Sequence, residues 1–172
     1  MKSLRAYIAR ECGSSFAINL AINGGLAWLL FRHKDSLPLW EPNGFGQDML
    51  ITALLLWLLL SAIVIGIHRR KARAGKLPVL NDSDFTRLRS ALRWLPRGTW
   101  AASMCLAVVG VVICALPLLA MFHLLDISAM SPLQYSIFKG FWAGAMAVVA
   151  TPIAILFPLH APSLASSPLA AP

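Results

Sequence analysis

The nineteen residues from Met49 to Ile67 carry no charged side chain, and only Thr52, Ser61 and Gly66 interrupt a run otherwise rich in Leu and Ile. At about 1.5 Å per residue, a helix of that length covers a hydrocarbon layer of about 30 Å. The segment therefore reads as a membrane span. His68, Arg69, Arg70 and Lys71 follow at once and stop it at a membrane face.

Three more apolar stretches of similar length flank it, at residues 14–31, 99–125 and 138–159. Only 13% of the chain is charged, about half the roughly 25% of soluble domains. Four crossings leave residues too dispersed for a catalytic head or a nucleotide-binding fold. The expected fold is all-α, a polytopic membrane protein with four transmembrane helices. It forms one membrane domain over residues 1–160, with a basic loop at 68–98 and a disordered Ala/Ser/Pro-rich tail at 161–172. Lys2, Arg5 and Arg10 ahead of the first stretch resemble a signal peptide. Asn19 and Asn23 break the apolar region, however, and Trp28 to Phe31 extends it past any cleavage point, so the first helix is expected to be retained.

The net charge of +8 would suggest nucleic acid in a soluble protein. Here nine of the fifteen bases lie between Arg69 and Arg97 and three more precede the first span, which is the asymmetry of membrane insertion. Both termini and the basic loop are thus expected on the cytoplasmic side of a bacterial inner membrane, with no nucleic-acid partner. Arg69, Arg70, Lys71, Arg73, Arg89 and Arg93 would rest on an anionic leaflet, each gaining on the order of 1 kcal/mol. Within the loop, Asn81 to Asp84 is a helix start, and Phe85, Leu88, Leu92 and Leu95 share a face opposite Arg89 and Arg93. A short amphipathic surface helix is expected there, ended by Pro96 and Gly98.

Candidate functional groups are few. Asn19 and Asn23 lie one turn apart at membrane depth, where amides must find protein partners or line a polar path. Ala17, Ala21 and Gly25 form a small-residue ridge on another side of the same helix, and Gly140 with Gly144 does so on the fourth, so both suit close helix contact. Pro117 and Pro152 each remove a backbone donor, and a tilt or kink is expected. His123, Asp126 and Lys139 could converge near the far face; the plainer reading is an interfacial histidine, a loop-capping aspartate and a snorkelling lysine. Cys12, Cys105 and Cys114 show no disulfide, zinc or redox spacing, and no catalytic motif is present, so neither enzymatic activity nor a cofactor or metal is expected. The expected function is a non-catalytic membrane module, a subunit or scaffold that engages another membrane chain, or a second copy of itself, through small-residue helix faces. The alternative is an oligomeric small-solute permease, its path lined by Asn19, Asn23, Thr151 and Ser103.

Overall fold

The computed structural model describes residues 4–42, 44–74, 95–96 and 98–159. Four long helices account for most of them: α1 (Leu4–Phe31), α2 (Phe45–Arg73), α3 (Thr99–Leu124) and α4 (Pro132–Leu159). All four are long and apolar enough to cross a membrane, so the chain is an all-α, multi-pass membrane protein. The expected surface helix over residues 85–95 and the tail lie outside the described residues, apart from Leu95, which is buried in the core.

Helices α1, α2 and α4 outrun the expected spans because hydropathy marks only the hydrocarbon. A helix satisfies its own backbone and continues through the headgroup layers, and 26 to 29 residues give about 40 Å. The largest difference is at α1, which begins at Leu4, ahead of the expected 14; α4 begins at Pro132, ahead of the expected 138. Its start is a capping box: the Gln134 amide donates to Ser131 Oγ at 3.3 Å, and the Ser131 amide donates to Gln134 Oε1 at 3.1 Å. Pro132 occupies the first helical position, where no amide is needed.

Alternate helices run in opposite directions, so the connections fall at two ends. At one, here the strand end, β1 (Leu37–Pro38) pairs antiparallel with β2 (Ala129–Met130), Leu37 opposite Met130 and Pro38 opposite Ala129. The Leu39 amide extends this ladder to the Ser128 carbonyl at 2.8 Å. The other, basic, end holds Arg69, Arg70 and Lys71.

Helix α1 packs mainly on α4, α4 also on α2, and α2 on α3. Two cores fill the row. One, centred on Trp57, Leu106, Met146 and Ile155, occupies the middle and basic end. The other is aromatic and sits at the strand end, where Phe45 meets Phe122 with ring centroids 5.7 Å apart and Phe122 meets Phe138 at 5.4 Å, joining α3 to the rest.

The two intramembrane prolines are accommodated differently. Ahead of Pro117, residues Val111–Ala115 widen into a π-helical turn, and the Leu116 amide reaches back to the Val111 carbonyl. This insertion removes the crowding of the proline ring against the preceding turn. Pro152 leaves the Val148 carbonyl without its helical donor, and Cys12 Sγ on α1 fills that place at 3.6 Å. The end of α3 is a Schellman turn, with the Ile127 amide on the Phe122 carbonyl at 2.9 Å and the Asp126 amide on the His123 carbonyl at 3.3 Å. Asp126 takes the left-handed conformation this turn requires, φ 53°.

Candidate functional site

The two glycines on α4 are used inside the chain. Gly140 stands against α1 so closely that an added Cβ would lie 2.9 Å from the Leu20 carbonyl oxygen and 3.3 Å from Gly24 Cα. At Gly144 an added Cβ would be 2.8 Å from the Phe16 ring. Thr151 donates to the Ala147 carbonyl at 2.7 Å and is hydrogen-bonded to Ser15 Oγ at 3.0 Å. Small residues thus let the α1 and α4 backbones approach, and hydroxyls and a thiol fasten them.

The ridge on α1 points elsewhere. Ala17, Ala21 and Gly25 are exposed, and an added Cβ at Gly25 would meet nothing within 4 Å. Of the four helices, α1 buries the smallest share of its most apolar stretch.

Asn19 and Asn23 are half-buried, near the middle of α1. Each turns its amide nitrogen back on its own helix, Asn19 Nδ2 donating to the Ser15 carbonyl at 2.9 Å and Asn23 Nδ2 to the Asn19 carbonyl at 3.0 Å. Among the described residues neither side chain bonds another helix, so each keeps an Oδ1 acceptor and a second N–H unspent. Ser103, placed on the possible solute path, is fully buried in α3 with its hydroxyl unpartnered among the described residues.

At the basic end, Arg69 and Lys71 hold helices together. Arg69 donates to Thr99 Oγ1 at 2.6 Å and lies over the Phe157 ring. Lys71 Nζ donates to the Tyr7 hydroxyl at 3.1 Å. His68 completes a directional chain: Nδ1 lies 2.8 Å from the Val64 carbonyl and so carries the proton, which leaves Nε2 to accept from the Tyr7 hydroxyl at 2.9 Å. Arg70 is exposed. Arg89, Arg93 and the Arg73 side chain lie outside the described residues.

The structure separates the three groups whose convergence is the less plain reading. His123 and Asp126 stay at the surface of the strand end, whereas Lys139 is 4% exposed and does not snorkel. It donates to Asp48 Oδ2 near the start of α2, and the Tyr135 hydroxyl donates to the same oxygen. Tyr135 and Lys139 are four residues apart on α4 and therefore share a face. Beside the pair, the Tyr135 ring contacts Phe31 at 5.8 Å and Phe45 at 5.5 Å between centroids, an aromatic cluster that leaves Lys139 buried and Asp48 partly exposed. Sequence reasoning missed this pair because Asp48 reads as a helix-start residue and Lys139 as a span-end residue; the i, i+4 spacing of Tyr135 and Lys139 was the available signal.

Compared with known protein families, with curated proteins and with solved structures, the chain matches none. What fold and site define together is a class, the small four-helix multi-pass membrane protein.

Proposed function

We propose that this protein is a non-catalytic membrane module, a subunit or scaffold, whose α1 engages another membrane chain. The observation that carries the reading is the unspent hydrogen-bonding capacity of Asn19 and Asn23, near the middle of a helix that this chain covers least. Lipid offers an amide no partner, so a second protein surface beside α1 would relieve both groups. The exposed ridge of Ala17, Ala21 and Gly25 on the same helix suits close backbone approach. On the proposed permease path, by contrast, Thr151 is already drawn into helix contacts, which favours the module reading. Positive-inside bias supports a bacterial inner membrane with the basic end toward the cytoplasm, both termini on that side and the exposed Arg70 at an anionic leaflet.

Photo-crosslinking residues placed singly at Ala21, Asn23 and, as a lipid-facing control on α3, Ile113 test this in native membranes. Expected are protein adducts from the α1 positions and lipid adducts alone from Ile113, with the adduct mass separating a second copy from a different partner. Lipid adducts alone from all three positions would refute the module.

A further inference from the structure

At the strand end, the α1–α2 and α3–α4 connections enclose a groove of about 360 Å³. Its floor is apolar, formed by Leu39 and Phe122, each 3% exposed. Its rim carries the Trp40 indole, 53% exposed, and the exposed side chains of Glu41, His123 and Asp126. The walls are held by the β1–β2 pairing and the Leu39 to Ser128 hydrogen bond, and the Schellman turn sets Asp126 at the lip. No Lys or Arg lines the groove, and among the described residues neither carboxylate has an ion-pair partner.

Two carboxylates, Glu41 and Asp126, line one recess that carries no Lys or Arg, above an apolar floor. Such a lining suits a cation. The rest of the lining narrows its chemistry. A hydrated metal ion answers the carboxylates and leaves the Leu39–Phe122 floor unused. An ammonium group bearing carbon substituents answers all three features: charge for Glu41 and Asp126, apolar surface for the floor, and a cation for the face of Trp40. The volume, near the lower end of the usual range for small-ligand sites, admits a group of choline size. We propose that this groove binds a small organic ammonium group, either free in solution or as the headgroup of a lipid in the adjacent leaflet.

The test uses the full chain in mild detergent, with choline as probe and 3,3-dimethylbutan-1-ol, its uncharged carbon isostere, as control, read by saturation-transfer NMR. Expected is a saturable choline signal, with the isostere weaker by roughly tenfold. The Glu41→Gln, Asp126→Asn double variant loses that preference, and Trp40→Leu weakens choline several-fold. Asparagine keeps the left-handed backbone at position 126 without strain, so the double variant should melt with the parent. To separate the two sources, the measurement is repeated in phosphatidylcholine and phosphatidylglycerol nanodiscs: a choline signal lost only in the former assigns the site to a lipid headgroup, and an equal signal in both assigns it to a free ammonium compound. Equal signals from choline and its isostere, no saturable choline signal in detergent, or unchanged choline binding by the double variant would each overturn the proposal.

Discussion

The Asp48–Lys139 pair gives a sharp energetic test of how the strand end is held. At an effective dielectric near 20, two unit charges in contact at about 3 Å attract by about 5–6 kcal/mol, most of which is offset by the loss of water around both ions. The pair as a whole therefore contributes little net stability, whereas breaking it strands one charge. Removing one partner of a buried pair costs about 3–5 kcal/mol. The two sides differ in exposure, 5% for the Lys139 side chain against 21% for Asp48, and Asp48 also keeps the Tyr135 hydroxyl when Lys139 is lost. Lys139→Met should thus fall near 3 kcal/mol, at the low end of that range, and Asp48→Leu should cost more because the ammonium it strands is the better buried. For a chain of this size about 3 kcal/mol lowers the melting midpoint by roughly 6–12 °C. The double variant Asp48→Leu, Lys139→Met should recover most of the loss, remaining about 1–3 kcal/mol below the parent because the buried Tyr135 hydroxyl loses its acceptor. Half-buried Cys12, Cys105 and Cys114 provide the readout, since a thiol-reactive dye reports their exposure on heating. Single variants that melt with the parent, or a double variant whose loss equals the sum of the singles, would refute the reasoning.

Adjacent glycines on α1 should behave oppositely: Gly25→Ala meets open space and leaves the melting midpoint of the isolated chain unchanged or raised, while Gly24→Leu, with Ser136 O at 3.1 Å from an added Cβ, loosens α1 and speeds proteolysis ahead of α2. Gly110→Ala puts a methyl 2.3 Å from Trp57 Cγ and should cost about 1–3 kcal/mol in thermal melts, a cost that Trp57→Leu reduces. Cys12→Ala should lower stability by about 0.5 kcal/mol or more, and by much less once Pro152→Ala has restored a helical donor to the Val148 carbonyl, a coupling that a double-mutant cycle measures. Asp126→Gly should raise the melting midpoint slightly, since glycine adopts φ 53° freely; a fall would show that the Asp126 side chain itself stabilises the turn.

What the sequence disclosed and what it hid divide along physical lines. The four spans were legible because transfer into hydrocarbon is a property of local composition, and Met49 to Ile67 leaves no alternative. The start of α4 was equally local, written in the Ser131–Gln134 spacing, but hydropathy does not register capping chemistry. Long-range pairings were of another kind. That Lys139 answers Asp48, that Cys12 compensates Pro152, and that Gly140 meets Gly24 depend on which helices become neighbours, and that order is a property of the assembled row. The Asn19 and Asn23 bonds were hidden differently: each side chain has a carbonyl of its own helix within reach, a short-range competitor that spacing does not distinguish from an interhelical partner.

The ladder between β1 and β2 has a mechanical corollary. It fastens the α1–α2 and α3–α4 connections to each other, with Leu39 and Ser128 adding one more rung. Among the described residues, the end of α2 and the start of α3 lie at the opposite pole, about 40 Å away along the helix axes. A rod clamped at one tip strains most at the other, so splaying of the helices would pivot about Leu37 and Met130 and load the side-chain bonds of Tyr7, His68 and Lys71 that tie the basic end.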